Sequence, residues 1–366
     1  MQILPQLMPP NLSLGALCIA LILALVVPLN HASRLTPGNL AGLGVQVNVK
    51  HAENTRVVHE LPDLTAHPII CILTQPGDLA DPGESYLSAG YVKWLEAAGA
   101  RVAPILFDMG EGEITDMFNM CNGVVFPGGN YPLTTQTTWF KAGELLVQLA
   151  REANDKGRLY PVLGTCLGLQ LLATIETRDQ FVLVPLNAAN HPSSLHFTEA
   201  IDQSALIKQV PAATLNALTE QPIAMFNHHF GLVDRSFELY PQLAKSYDIL
   251  SHTVDWDNTS YVSMIGAKRY PFLGVAFHAE KVPYEWTPSL DIPHSREAVE
   301  ASFQIASAFV ALARRNNHRG KDLVEEDARL IYNWNPSFTG KHETGDENLA
   351  FEQAYLFRLN ELQAAS

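Results

Sequence analysis

The sequence predicts an α/β fold in which a doubly wound, mostly parallel sheet is flanked by helices and followed by a C-terminal extension. Short, wholly apolar runs recur along the chain, as expected for strands buried on both faces. Longer segments between them have apolar residues at helical spacing, and several end at glycine. The composition, 47% hydrophobic and 17% charged residues, excludes intrinsic disorder for the bulk of the chain.

The N-terminus has the character of a targeting segment. No charged residue precedes Arg34, and residues 14–29 form an almost continuous apolar run. Such a run is short for a membrane span and typical of the core of a secretory signal. We therefore expect a signal peptide over 1–33, with a retained signal anchor as the alternative because no Lys or Arg precedes the run. Residues 34–66 are polar and contain Gly and Pro, which predicts an N-terminal leader.

From residue 67 the pattern becomes regular and predicts one large domain over 67–318. The expected strands are 68–73, 101–106, 123–126, 160–163 and 270–277. The expected helices are 85–98, 137–156, 167–174 and 295–315. The middle of the chain, 180–264, is richer in short strand-like stretches and turns. Residues 319–366 turn polar and acidic and then aromatic again, and we expect them to form an extension packed back on the domain.

The charge and the cysteines limit the class of protein. With 38 acidic and 24 basic residues the net charge is −14, and no basic cluster suggests a nucleic-acid partner. Once the signal is removed, Cys71, Cys121 and Cys166 remain, and their spacing matches no metal motif. Because three is an odd number, at least one thiol must stay free or pair outside the chain.

Cys166 has a chemical reason to stay free. The residues Gly164-Thr165-Cys166-Leu167-Gly168 follow a predicted strand and precede a predicted helix, as in a nucleophile elbow with sulfur in place of a hydroxyl. The helix N-terminus favours the thiolate form of Cys166, and the amide of Leu167 is directed to where an oxyanion would form. A buried structural cysteine in a glycine turn is the alternative.

A base and its orienting group are predicted at the end of a later strand. His278 follows the apolar run that ends at Phe277, and Glu280 comes two residues later. In extended backbone these two side chains project to the same side, so the carboxylate can fix the imidazole tautomer. A polar strand end that faces solvent is the alternative interpretation.

Two further segments supply candidate binding residues. The glycines of Phe126-Pro127-Gly128-Gly129 follow a strand and allow close approach of a substrate, so the amide of Gly128 or Gly129 is a second oxyanion donor. A plain turn is the alternative.

In the pair His228-His229, one histidine is a candidate for substrate contact or general acid catalysis. A surface loop is the alternative interpretation. No third residue has the spacing of a zinc ligand, so a zinc site is not expected. Tyr86 is a further candidate for substrate contact.

These motifs together resemble the class I glutamine amidotransferase-like hydrolases and, more narrowly, the γ-glutamyl hydrolase family. The resemblance covers about residues 67–358, and the narrower match is carried by four stretches: 67–75, 85–100, 278–286 and 331–340. It implies Cys166 as nucleophile, His278 as base, Glu280 as its orienting partner and His228 as a further histidine near the scissile bond. It also implies a small-molecule substrate, a folylpoly-γ-glutamate cleaved through a thioester, and a homodimer.

Two departures from the family pattern bear on this expectation. Ala279 replaces the usual proline between the base and its carboxylate, and Leu169-Gln170 replaces a usual Phe-Glu after the elbow. The alternatives are therefore a glutaminase-type amidotransferase and a secreted binding relative with impaired catalysis. No metal or organic cofactor is expected, and no membrane attachment in the mature form. With a sequon at Asn258, we expect glycosylation and an extracellular, lysosomal or vacuolar destination.

Overall fold

The computed structural model describes residues 64–77, 85–340 and 351–357. The predicted signal peptide and nearly all of the predicted leader lie outside these residues. No helix among the described residues is both long and apolar enough to cross a membrane.

In the described part of the chain the main sheet has eight strands, in the order β4-β1-β5-β6-β12-β11-β10-β8. Their bounds are β1 Ile69–Leu73, β4 Arg101–Ile105, β5 Gly123–Phe126, β6 Val162–Thr165, β8 His196–Phe197, β10 Tyr247–Val254, β11 Ser260–Ala267 and β12 Phe272–Val275. The first five strands in this order pair in parallel, and the last three join antiparallel. The predicted α/β class with a mostly parallel sheet is confirmed.

The helices form two contacting groups around this sheet. They are α1 Ala89–Ala97, α2 Glu111–Met120, α3 Thr138–Asp155, α4 Leu167–Thr177, α5 Ala212–Glu220, α6 Asp234–Leu239, α7 Pro241–Ser246, α8 Arg296–Ala313 and α9 Leu323–Arg329. Helix α8 packs on α1 and α5, while α3 packs on α2 and α4. This is the arrangement expected of a doubly wound sheet covered on both faces.

A second, four-stranded sheet has the order β13-β14-β3-β2 among the described residues. It consists of β2 Gln75–Pro76, β3 Ser85–Ser88, β13 Ser337–Phe338 and β14 Gln353–Phe357. The prediction of a helix from residue 85 is wrong at its start, because Ser85–Ser88 is a strand that pairs with β14 and β2. A tertiary pairing from the far end of the chain thus overrides the local helical spacing.

A two-stranded ribbon completes the fold: β7 Val184–Ser193 pairs antiparallel with β9 Ala224–Gly231. The ribbon adjoins the main sheet through a bridge between Leu232 and Val262 and through the amide of His278, which donates to the carbonyl of Met225 at 2.7 Å. It therefore reaches the carboxyl ends of the parallel strands, where ligands bind in folds of this kind.

Cys71 and Cys121 form a disulfide with their Cα atoms 5.8 Å apart. Cys71 lies in β1 and Cys121 follows α2, so the bond ties a central strand to the helix that packs beside it. Cys166 is the free cysteine of the described residues and is buried. Cys166 is the thiol that its glycine-flanked motif predicted to stay free, and this prediction is confirmed.

Candidate active site

The turn between β6 and α4 holds Cys166 in a strained backbone conformation. Its φ of 51° and ψ of −106° lie where a side chain is rarely tolerated. The amide of Cys166 donates to the carbonyl of Val275 at 2.7 Å, which ties the turn to β12. Gly164 permits the sharp turn, because a Cβ there would lie 2.5 Å from the carbonyl oxygen of Gly168. This is the geometry of a nucleophile elbow.

His278 and Glu280 follow β12 and form a buried pair beside this turn. The Nδ1 atom of His278 lies 2.6 Å from Oε1 of Glu280, and both side chains are almost fully shielded from solvent. The imidazole also lies close to Cys166, because both side chains border Gly128 and the charge of Cys166 acts on the ring. Because Nδ1 is bonded to Glu280, Nε2 is the ring nitrogen left to exchange a proton with the sulfur. The structure thus brings together the three residues that the sequence indicated.

The electrostatics of the pair favour a protonated imidazole. Burial lowers the pKa of His278, but the charges of Glu280 and Cys166 raise it by more, to about 9. Near neutral pH the ring is therefore an imidazolium held between a carboxylate and the cysteine sulfur. Such a ring can give a proton to a departing group and orient the thiolate at the same time.

Gly128 lies against both reacting groups. A Cβ at this position would lie 2.5 Å from Cε1 of His278 and 3.3 Å from Cβ of Cys166. The amide of Gly128 donates to the hydroxyl of Tyr91 at 2.7 Å. The close approach of His278 and Cys166 thus requires glycine at position 128. Of the two glycine amides that are candidate oxyanion donors, that of Gly128 already donates to Tyr91.

Two other backbone amides remain available at the site. The amides of Leu167 and Gly129 donate no hydrogen bond to any other described residue. Leu167 begins α4, so its amide belongs to the unpaired first turn of a helix. An anion that develops beside Cys166 would find hydrogen-bond donors and the positive end of the helix dipole there.

His228 lies on β9, buried and edge-on to Phe226 and Tyr261, with ring centroids 6.0 and 5.4 Å away. Burial, and then the charge of His278, lower the pKa of His228 to about 3, so its ring is neutral in ordinary buffers. Neither ring nitrogen has a hydrogen-bond partner within the described ranges. The neighbouring His229 is exposed. Of the two adjacent histidines, His228 is thus the one on the site side of the ribbon.

Two sequence candidates remain, Tyr86 and Asn258. Tyr86 is in β3, opposite Gln75 on the neighbouring strand, and its ring lies 6.1 Å from that of Phe351. Asn258 is exposed in the turn between β10 and β11 with a left-handed φ of 58°. The departure at Ala279 leaves the cluster intact, because His278 and Glu280 still make their 2.6 Å contact.

Sequence reasoning missed Tyr91 and Gln75. Burial, and then the charge of Glu280, raise the pKa of Tyr91 well above its ordinary value, and its hydroxyl fixes the loop that bears Gly128. Gln75 donates to the carbonyl of Pro127 at 3.3 Å and lies where a side chain at Gly129 would be. An aromatic residue at helical spacing looks like core, so the sequence offered no signal for Tyr91.

The α/β fold, the cysteine elbow and the buried His–Glu pair define a cysteine hydrolase of the glutamine amidotransferase-like type. A family model described as Peptidase C26 matches residues 68–280. The chain belongs to this family and is a member of its γ-glutamyl hydrolases, as the sequence resemblance predicted.

Curated relatives support this membership over most of the chain. Gamma-glutamyl hydrolase B of Dictyostelium discoideum is 34% identical over 293 residues, 79% of this chain and 83% of its own length. Gamma-glutamyl hydrolase of Rattus norvegicus is 34% identical over 292 residues, 79% and 89% of the two chains. Gamma-glutamyl hydrolase of Homo sapiens is 33% identical over 298 residues, 81% and 91% of the two chains.

Proposed function

We propose that this protein hydrolyses γ-glutamyl amide bonds of folylpoly-γ-glutamates through a thioester on Cys166. The observation that carries the proposal is the position of Cys166, at its strained elbow, close to an imidazole whose Nδ1 lies 2.6 Å from a buried carboxylate. The names of the relatives support the γ-glutamyl bond as the target, since each is called a gamma-glutamyl hydrolase.

The first half of the reaction forms the thioester. The thiolate of Cys166 attacks the γ-carbonyl carbon, and the carbonyl electrons move to oxygen, where the amides of Leu167 and Gly129 hold the oxyanion. As the intermediate collapses, the C–N bond breaks and Nε2 of His278 gives its proton to the departing amine. Removing one oxyanion donor from such a site typically costs about 10²–10³ in rate.

The second half releases the acid. Neutral His278 takes a proton from water as the water oxygen attacks the thioester, and the C–S bond then breaks to return the thiolate. Glu280 keeps the Nδ1 proton in place and stabilises the imidazolium in both halves. His228 remains neutral and offers its ring nitrogens for hydrogen bonds near the scissile amide, while Tyr86 would contact substrate further out. We include His228 because it is buried beside His278 without a partner among the described side chains.

The test is to incubate the mature protein with pteroylpoly-γ-glutamate and, separately, with free glutamine, beside a Cys166→Ala variant. Release of glutamate or short γ-peptides that is lost in the variant supports the proposal. Ammonia from glutamine without cleavage of the polyglutamate would favour an amidotransferase. If neither substrate yields product while the polyglutamate still binds, the protein is a binding relative and the proposal is wrong.

We further propose that the protein enters the secretory pathway through its N-terminal signal and that Asn258 carries a glycan. The Cys71–Cys121 disulfide and the exposed sequon support this, because disulfides persist in oxidising compartments and glycans attach to surface turns. Expression in eukaryotic cells, with Asn258→Gln as the comparison, tests for a mass shift on glycosidase treatment. The homodimer stays a prediction, which light scattering on the secreted protein tests directly.

A further inference from the structure

The face of the ribbon that bears His228 continues to a second buried histidine. In the ribbon His191 on β7 lies opposite Phe226, and Phe226 and His228 are two residues apart on β9. The three rings therefore share one face, with centroid distances of 6.4 Å from His191 to Phe226 and 6.0 Å from Phe226 to His228. A charge on His191 also acts on His228, since it lowers the pKa of that ring.

The backbone beside His191 is bent and firmly held. Strand β7 has two register shifts against β9, the second between Ala188 and His191. Within it Asn190 has a left-handed φ of 47°. Its amide donates to Oδ1 of Asn227 at 3.0 Å, and its side chain exchanges two hydrogen bonds with Asp291, at 2.6 and 3.2 Å. Bulges of this kind re-aim side chains next to active sites, so the direction of His191 is fixed.

Trp256 presents an immobilised aromatic surface beside His191. Its backbone amide donates to the carbonyl of Asn187 and its indole N–H to that of Ala189, both at 3.0 Å. The ring lies 4.3 Å from that of His191, yet 56% of the residue remains exposed. A tryptophan held at two points and still open to solvent loses little freedom when a second ring stacks on it.

The charges around this pair are negative. Asp255 is buried, and although burial raises its pKa, the amides of Asn187, Thr259 and Asp257 lower it by more, so the carboxylate stays ionised. Asp257 and Asp291 lie nearby, bonded to side chains of β7. None of these three carboxylates forms an ion pair with a described Lys or Arg.

The histidine itself adds no positive charge. Burial lowers the pKa of His191, against a smaller opposite effect of Asp255, so the ring is neutral at ordinary pH. Its Nδ1 atom is buried and has no hydrogen-bond partner in the described part of the chain. The neutral ring and the three acidic groups disfavour a glutamate carboxylate and suit a planar heteroaromatic group that carries N–H donors.

We propose that His191 and Trp256 form a subsite for the aromatic head of the substrate, on the same face of the ribbon as His228. The head stacks on the open face of Trp256, and Nδ1 of His191 exchanges a hydrogen bond with it. This inference rests on the proposed function, since it concerns the substrate of the same site. It predicts that the protein distinguishes γ-glutamyl chains with an aromatic head from chains of the same length without one.

The experiment compares two substrates with the same scissile bond: pteroyltri-γ-glutamate and tri-γ-glutamate. KM and kcat are measured for the wild-type protein and for Trp256→Ala, Trp256→Phe and His191→Gln. Phe181→Ala is the matched control, because Phe181 is an exposed aromatic residue, 78% accessible, beyond the C-terminal end of α4. Calorimetry in a Cys166→Ala background measures binding without turnover.

We expect Trp256→Ala to raise KM, and the dissociation constant in the Cys166→Ala background, about 3- to 10-fold for the pteroyl substrate alone. Trp256→Phe keeps most of the affinity, His191→Gln weakens the same substrate selectively, and Phe181→Ala changes neither. An equal effect on both substrates, or none, overturns the subsite while leaving the hydrolase intact. If the wild-type protein cleaves neither substrate, the proposed function fails instead, and the calorimetry still decides whether the aromatic head binds at Trp256.

Discussion

The Nδ1 atom of His278 and Oε1 of Glu280 lie 2.6 Å apart, although a single residue separates them in the chain. The pair is buried, and the carboxylate charge counteracts the effect of burial on the imidazole, so that its pKa stands at about 9. A positively charged ring is thereby kept beside a thiol in a place that would otherwise favour the neutral form.

Glu280→Gln should lower kcat by about 10²–10⁴-fold, since it preserves shape and removes the charge that supports the imidazolium. The pKa of His278 should fall, because burial is then opposed by less negative charge. The alkaline limb of the pH–rate profile, where His278 loses its proton, should therefore move to lower pH. Glu280→Asp retains the charge and serves as the control. An alkaline limb that stays in place would contradict this account.

The variant His228→Gln tests whether His228 is buried in its neutral form. The readouts are the stability of the protein in acid and its turnover. The pKa of His228 is lowered from 6.5 to about 3. As pH falls through this window the unfolded chain binds a proton that the folded chain refuses, so stability is lost. Gln does not titrate, and acid denaturation of the variant should begin at lower pH. His278, whose pKa is raised, changes stability only above 6.5. If the variant loses kcat/KM but unfolds in acid at the same pH as the wild type, then burial does not lower the pKa of His228.

Much of the site could be predicted because its signals are local. A cysteine between glycines, after an apolar strand and before a helix, specifies the elbow, and alternation along a strand end specifies the contact of His278 with Glu280. The parallel core was predictable for the same reason, since each buried strand is an uninterrupted apolar run.

What the sequence could not predict depends on distant partners. The motif at Cys166 indicates which thiol stays free, but only the packing of α2 against β1 shows that Cys71 and Cys121 bond to each other. The strand Ser85–Ser88 exists because β14, more than 260 residues later, pairs with it. The register shift next to His191 contains the left-handed Asn190, which bonds to Asp291, and no periodicity reveals it.

Gln170→Glu should weaken the protein at neutral pH. Nε2 of Gln170 donates to the carbonyl of Phe230 at 2.7 Å, and this bond holds the His228 strand against α4. An ionised carboxylate cannot donate and would repel that oxygen, at a cost of about 1–3 kcal/mol in unfolding free energy. A protonated carboxyl can donate, so the loss should shrink toward acid pH.

Gln170→Met is the matched variant, because it loses the hydrogen bond at every pH. Denaturant titrations of both variants across the acid and neutral range measure the difference. Parallel stability curves for Glu and Met at position 170 would show that the donated hydrogen bond is not what matters.

Glu285→Gln should stabilise the protein in alkaline buffer. Glu285 is buried, accepts the amide of Glu352 at 2.6 Å and faces the hydroxyl of Ser88 at 3.3 Å. Burial raises the pKa of Glu285 from 4.5 to about 7, against a smaller opposite effect of Lys281. At a pH between 4.5 and 7 the folded chain therefore keeps a proton on Glu285 that the unfolded chain releases. The free energy of unfolding falls as pH rises through this range.

Replacing the carboxylate by a neutral amide should remove that loss, with a gain of at most about 3 kcal/mol above pH 7 and almost none in strong acid. Thermal unfolding of wild type and variant over this pH range measures the gain. Ser88→Ala, which removes only the hydroxyl contact, should lower stability at both ends. If Glu285→Gln destabilises the protein equally at all pH values, then the carboxylate acts as an ionised acceptor for the amide of Glu352, and its burial costs the fold nothing.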